Sequence, residues 1–485
     1  MTGKPLRLRS SSDPLERGAH LAFDAMVSIL AIGCLAGLWR VLASLQLKVP
    51  LDPNEGWNAY HAVSAMTGNG PYPAQASFLT NNYPPLSFYL VGLIGSSTGD
   101  MIVAGRVVSL ASFLAVGGAI ALVVKRFGCS WLESAFASLL FGAFLLLESD
   151  YVGMNDPQLL GQALQFGALI LLLSRGTTAG KDFAGAVIFV TALFIKHNLV
   201  VLPAAATIWI AMQDWKRACR FAAFMLALGL GGLAAFRFIY GFDLLSRLNS
   251  PRRYSLELFA ANFHDWLLPA ALPFAATLAV GAARARYATF CAIYALLAVI
   301  VGGVFLGGAG VDSNAMFDAD IAIALGSGLA LNWAGVHWPA RHSVAQLILA
   351  ATMLFPLAAA VLLSFDPAWL DRDFWTLPLH DEATLAHDDI AYLRSRNGPV
   401  LCQMLSLCFW AGKAAAVDVF NLDQQFDVRA RSEEPFVEMI RRRRYSVIQF
   451  DALSPAPFPT PIMGAILANY RVDRSNDDGV FLVPK

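Results

Sequence analysis

Long apolar runs alternate with short polar breaks along most of the chain, and the runs are of bilayer-crossing size. A helix needs about 20 apolar residues to cross the hydrocarbon core. Runs at 21–46, 103–124, 131–148, 157–174, 183–196, 199–213, 218–240, 265–282, 287–308, 317–335 and 343–364 predict eleven spans, several of the middle ones short and dependent on flanking residues. The first run is too long for the ~7–15-residue core of a signal peptide, and no small-residue cleavage site follows it. It is expected to stay as a span, after a cytoplasmic N-terminus of residues 1–20. Past Phe365 the apolar runs stop, and residues 366–485 are polar enough for one small α/β domain. GPVLCQM and YSVIQFDA have strand patterns. Ser432 followed by Glu433, Glu434 and Pro435 opens a helix that closes on Arg441 to Arg444. Asn476-Asp477-Asp478-Gly479 before VFLVP predicts a hairpin turn.

Basic residues orient the spans, because cytoplasmic loops carry the excess of Lys and Arg. With the N-terminus inside, the inner segments hold Lys4, Arg7, Arg9, Arg17, Lys125, Arg126, Arg175, Lys181, Lys216, Arg217, Arg220, Arg284, Arg286 and Arg341. The outer loops hold only Lys48, Lys196, Arg247, Arg252 and Arg253. This bias decides segment 84–98, which is apolar but short and opens on two prolines. Counting it as a span would put Lys125 and Arg126 outside and invert every later loop. It is therefore expected to lie at the outer interface, as is 54–68, so that the outer loop 48–102 forms a cap of two interfacial helices. The expected architecture is a polytopic α-helical membrane domain over 21–365, followed by an extracytoplasmic α/β domain over 366–485.

Composition agrees with this architecture: 57% of residues are hydrophobic and 14% charged, and the net charge is zero, so no basic field points to nucleic acid. The cysteines form no metal-binding spacing. Cys402 and Cys408 lie in the tail, where a disulfide and two buried thiols are equal alternatives.

Acids at a membrane are costly and mark functional candidates. Four groups share the outer face in this topology: Asp52 with Glu55; Glu148, Asp150 and Asp156; Lys196-His197-Asn198; and Asp312, Asn314, Asp318 and Asp320. Each has a plainer reading. Loop acids are usually solvated, Asp156 before Pro157 is a good helix cap, and Lys196 or Arg106 could snorkel to the interface. His61, one turn after Trp57, is more easily an interfacial residue than a ligand. No HExxH, GxSxG, P-loop or dinucleotide pattern occurs. Cations and carboxylates together at headgroup level suit a lipid-phosphate-linked substrate. The cations would hold the phosphate, with the Arg252-Arg253 pair available beside Lys196 and Arg106, and a carboxylate would deprotonate an acceptor hydroxyl.

The stretches NEGWNAY, NNYPPLSFYLVGLIG, AGRVVSLAS, MNDPQLLGQAL and FIKHNLVVLP resemble, in order and spacing, the GT-C glycosyltransferases. The nearest members are the bacterial relatives of dolichyl-phosphate-mannose protein mannosyltransferases and the lipid A aminoarabinose transferase. The resemblance covers about residues 20–210, and the later spans by layout only. It implies an inverting transfer from a polyprenyl-phosphate sugar to a lipid, glycan or protein acceptor, at the outer face of a bacterial inner membrane, with the tail domain periplasmic. It casts Glu55 as the general base, favoured over Asp52 by the pair Asn54-Glu55, and Asp156 as the catalytic second-loop acid that shapes the site or orients the acceptor. Read from this chain itself, Lys196 and His197, with Arg106 behind them, are the substitute phosphate ligands, and Asp52, Tyr83 and Asn198 are further substrate contacts. Tyr83 stands where many members carry a phosphate-binding lysine. No cofactor is expected, and a divalent ion bridging Glu55 and Asp156 is the less favoured variant. The competing function is a transporter or flippase for a lipid-linked or anionic solute, disfavoured because the acids lie at loop ends rather than on broken helices. A non-catalytic scaffold has only the tail in its support.

Cysteines placed singly at Ser97 and Ser130 test the orientation. A membrane-impermeant thiol reagent is expected to label position 97 in intact cells and position 130 only after permeabilisation. Labelling of position 130 from outside would overturn the topology.

Overall fold

The computed structural model describes residues 13–485 apart from 69, 75–76, 148, 175, 177, 249, 284–285 and 364–371. Lys4, Arg7, Arg9, Glu148, Arg175, Arg284 and the start of the tail at 366 therefore lie outside the described residues, as does the side chain of Arg286.

Asp13 caps the first helix, α1 (Pro14–Ser44), with Pro14 in its first turn. The outer loop folds into α2 (Pro53–Met66) and α3 (Leu86–Thr98), and Gly99, at φ +88°, ends α3 in the left-handed conformation. Asp100 then caps α4 (Met101–Arg126), and α5 (Trp131–Leu147), the short α6 (Ser149–Gly153), α7 (Gln158–Leu172), α8 (Ala179–Leu193) and α9 (Val201–Ala211) follow. The second half comprises α10 (Trp215–Tyr240), the short α11 (Leu244–Leu248), α12 (Leu256–Ala282), α13 (Arg286–Leu306), α14 (Phe317–His337) and α15 (His342–Leu363).

Every predicted span thus appears as a helix. Among the described residues, seven helical segments are long and apolar enough to cross a membrane: those of α1, α4, α10, α12, α13, α14 and α15, some with a flanking short turn. The others are short. At ~1.5 Å per residue, α9 reaches about 16 Å, roughly half of a ~30 Å hydrocarbon core. The hairpin of α7 and α8 brings the 195–200 turn against α7, where Gln165 Nε2, in the middle of that helix, donates to the Leu199 carbonyl. Helix α14 is the most deeply buried, enclosed along most of its length by α5, α12, α13 and α15.

Helix α16 (Arg372–Ser395) leads into the C-terminal domain, which comprises β1 (Val400–Cys402), α17 (Leu405–Trp410), α18 (Val419–Asp427), α19 (Glu434–Arg441), β2 (Val447–Phe450), α20 (Thr460–Asn469), β3 (Tyr470–Asn476) and β4 (Gly479–Pro484). Its described strands form one sheet in the order β1-β2-β4-β3, parallel between β1 and β2 and otherwise antiparallel. The predicted hairpin is present, with Asn476 paired to Gly479. Cys402 and Cys408 form a disulfide across the turn that starts α17.

This domain grips the outer loop. Trp410 Nε1 donates to the Asp100 carboxylate at 2.9 Å, and Tyr60 Oη to the Lys413 carbonyl at 2.6 Å. The Asp418 amide donates to the Phe78 carbonyl at 2.9 Å, within a parallel bridge between Phe78 and Val417. The closest approach is α17 on α2, where a Cβ on Gly56 would lie 2.2 Å from the Ser406 amide nitrogen. Only glycine fits there. Gly56→Ala is expected to cost about 1–3 kcal/mol, as overpacking against backbone does. The readouts are a lower melting temperature in detergent and faster proteolysis of the C-terminal domain, whereas wild-type values for both would contradict the docking.

Candidate active site

The floor of the site is a buried ion pair. Glu55, in the first turn of α2, and Arg106 of α4 are both 0% exposed. Arg106 Nε donates to Glu55 Oε1 at 2.7 Å and Nη2 to Oε2 at 2.6 Å, a bidentate pair. The remaining N–H groups of Arg106 go to the carbonyls of Ser44, Leu47 and Val49, just past α1. All five guanidinium donors are therefore used. Glu55 also accepts from the backbone amides of Leu51 and Asn155, both at 3.2 Å. Every N–H group of Arg106 is thus directed at protein acceptors.

Asp156 and Lys196 form a second buried pair, with Nζ 2.9 Å from each carboxylate oxygen. Asp156 Oδ1 also accepts the Gln158 amide at 2.7 Å, although the N-cap of α7 is Pro157 and not Asp156 as expected. Burial works against the Lys196 ammonium, but the Asp156 charge and Tyr83 outweigh it and hold its pKa above the usual lysine value. Tyr83 lies with its ring centroid 5.0 Å from Nζ and faces His197 on another side. Burial, with the charges of Lys196 and Arg252, lowers the His197 pKa to about 4, so the ring is neutral at pH 7. Among the described residues, His197 Nδ1 and Asn198 Oδ1 are buried without hydrogen-bond partners. Buried polar groups are normally bonded, so these two atoms are available to a ligand.

Asp52 is the more open carboxylate. It caps α2 by accepting the Asn54 amide on Oδ1 at 2.7 Å, and the Asn54 side chain bonds the same carboxylate. Burial pushes its pKa up to about 6, against the Asn54 bonds and with the charges of Asp156 and Glu55 adding to the rise. Tyr151, on α6, is buried among these acids. Desolvation and the charges of Asp156, Asp312 and Asp52 raise its pKa well above the usual range, which keeps the phenol neutral.

The four sequence clusters do not contribute equally. Asp52, Glu55, Asp156, Lys196, His197 and Asn198 meet in one place, with Asp312 near enough to act on Tyr151. Asp318 and Asp320 turn into the helix bundle instead, accepting from Tyr294 Oη and Trp266 Nε1. Arg252 reaches the Ala309 carbonyl and stacks over Phe420 of the C-terminal domain, and Arg253 pairs with Asp427. His61 packs on Trp57 and Phe88 and is held neutral by burial, its pKa lowered to about 4. Tyr151, Asn155 and Asp418 were missed by the sequence reading. Only Tyr151 had a local signal, being embedded in ESDYVG.

No protein-family model and no curated protein sequence matches the chain. Solved structures do match. ArnT from Cupriavidus metallidurans bound to undecaprenyl phosphate superposes with a TM-score of 0.59 at 14% identity, over 95% of this chain and 98% of that one. Its apo state gives the same values. The archaeal oligosaccharyltransferase AglB from Archaeoglobus fulgidus, in complex with an inhibitory peptide and a dolichol-phosphate, gives 0.51 at 11% identity, over 90% and 70%. The chain has the GT-C fold. This fold accounts for the helical membrane architecture and for the small α/β domain that follows it.

The Glu55–Arg106 pair gives a direct test. Removing one partner of a buried pair costs about 3–5 kcal/mol, because the other charge is left unpaired. Glu55→Gln is expected to lower the yield of folded protein and the melting temperature sharply, and Glu55→Gln with Arg106→Gln to recover part of the loss. A Glu55→Gln protein as stable as wild type would contradict the assignment.

Proposed function

We propose that the chain is a membrane glycosyltransferase that moves a sugar from a polyprenyl-phosphate donor to a lipid, glycan or protein acceptor at the outer membrane face. The observation that carries this reading is the half-buried Asp52 carboxylate, close enough to feel the Asp156 charge, beside the buried Asp156–Lys196 pair. The GT-C fold supports it, and so does the binding of undecaprenyl phosphate and dolichol-phosphate by two chains of that fold.

In this reading the base is Asp52 rather than Glu55, whose oxygens already accept four N–H groups. Asp52 takes the proton of the acceptor hydroxyl, and the acceptor oxygen bonds to the anomeric carbon from the face opposite the phosphate. The bond from that carbon to the phosphate oxygen breaks, and the phosphate leaves with the electron pair, inverting the sugar. Lys196, bonded to both Asp156 oxygens and held against Tyr83, supplies positive charge to the leaving phosphate. Arg252 adds positive charge beside His197. Asp156 keeps Lys196 in place, and His197 Nδ1 and Asn198 Oδ1 bind polar groups of the donor. The chemistry runs without a metal because Arg106 and Lys196 neutralise the two carboxylates that a divalent ion would bridge.

Asp52 works only when ionised, so turnover is expected to fall as pH drops through about 6. Asp52→Asn is expected to lower the rate by at least ~100-fold and to leave donor binding intact, measured with purified protein and a polyprenyl-phosphate sugar. Wild-type turnover in Asp52→Asn would refute the base assignment.

A further inference from the structure

One of the contacts between the C-terminal domain and the outer loop reaches Trp57, in α2, five residues after the capping Asp52. Its indole Nε1 donates to the Thr80 carbonyl at 3.0 Å and to Asp418 Oδ2 at 3.1 Å. Asp418 is buried at the start of α18, in the C-terminal domain, and its other bonds are local. Oδ1 accepts the Asn421 amide at 3.0 Å and Oδ2 the Asn421 side-chain amide at 2.7 Å. On its other side the Trp57 ring meets Tyr83 edge-on, with centroids 5.0 Å apart. Tyr83 in turn lies against Lys196 and His197.

Segment 77–83 runs between these groups and is held from the same domain. Arg431 Nη1 donates to the Ser77 carbonyl at 2.7 Å, the Asp418 amide to the Phe78 carbonyl at 2.9 Å, and Gln425 Nε2 to Thr80 Oγ1 at 3.0 Å. Within the segment, the Tyr83 amide donates to Asn81 Oδ1 at 2.9 Å, and Asn81 Nδ2 to the Pro71 carbonyl. The loop that carries Tyr83 thus has its conformation set from the C-terminal domain as well as from the membrane domain.

We propose that Asp418 is a positioning residue for the phosphate subsite, holding Trp57 and segment 77–83 so that Tyr83 stays packed against Lys196 and His197. The C-terminal domain is then part of the site and not only a neighbour of it. This inference rests on the proposed function in one respect, the placing of a lipid phosphate at Lys196.

Asp418→Asn separates the two tasks of the carboxylate. One amide oxygen still caps α18, since asparagine is as good an N-cap as aspartate. The amide nitrogen then faces both Trp57 Nε1 and the Asn421 side-chain amide. The Asn421 amide can turn its unpaired Oδ1 to accept, whereas the indole N–H cannot, so the mismatch falls on Trp57. With undecaprenyl phosphate as the probe and the full-length purified chain, Asp418→Asn is expected to bind about tenfold more weakly than wild type, the order of one buried hydrogen bond lost. Trp57→Phe removes the opposing donor, so Asp418→Asn with Trp57→Phe should bind within about twofold of Trp57→Phe alone, where independent effects would multiply. Hydrogen exchange needs no ligand. In Asp418→Asn, amides in 77–83 should lose protection while β1, β2 and α19 keep theirs. Unchanged protection of 77–83, or multiplicative binding losses, would overturn the proposal. Lys196→Ala separates the two readings. If it binds undecaprenyl phosphate as well as wild type, or if wild type does not bind, the placing of the phosphate fails and the exchange result alone judges Asp418.

Discussion

One guanidinium joins three parts of the membrane domain that the chain would otherwise leave separate. Arg106 ties the end of α1, through the carbonyls of Ser44, Leu47 and Val49, to the first turn of α2, through Glu55. Through Glu55 it also reaches the Asn155 amide, just before α7. Two opposite charges at 0% exposure are tolerable only when each has its hydrogen-bonding capacity filled. Here both are filled, and the cost of loosening either is what fixes where α2 begins. Asp52 and Trp57 flank Glu55 on the same short segment, so their places follow from that pair.

The second buried pair differs in what it leaves over. Arg106 spends its donors on one carboxylate and three backbone carbonyls, while Lys196 is shared between Asp156 and Tyr83. Around it lie a neutral histidine and an asparagine with unpaired buried atoms, and a carboxylate whose pKa stands near 6. One pair is architecture and the other has capacity for a ligand. The C-terminal domain closes the arrangement from the other side through Gly56, Trp57 and segment 77–83.

Much of this was legible in the chain. Eleven apolar runs became eleven helices because burial in hydrocarbon demands long unbroken apolar stretches, and charge bias kept 84–98 from being read as another span. The Gly479 hairpin and the Glu434 helix start were local signals and appeared where expected. The roles of the acids were less legible. Glu55 looked like the base from its motif, but its partner is 51 residues away, and only the fold shows that the partner takes both of its oxygens. Asp318 and Asp320 looked like Asp312 in sequence, yet helix phase turns them toward Tyr294 and Trp266. Asp418 lies 361 residues from Trp57, and nothing in either neighbourhood announces the contact. Likewise Cys402 and Cys408 left two alternatives open in sequence, and the structure joins them.

The pool of lipid-linked sugars in the native host tests the central claim most directly, because its response does not depend on which acceptor receives the sugar. A transferase that consumes a polyprenyl-phosphate monosaccharide leaves that donor unspent when it is removed. Mass spectrometry of membrane lipids should then show one polyprenyl-phosphate sugar accumulating in a deletion strain. Wild-type protein should return it to its normal level, and Asp52→Asn should not. A lipid-linked sugar pool unchanged by the deletion would contradict the assignment of this chain as a polyprenyl-phosphate-dependent glycosyltransferase.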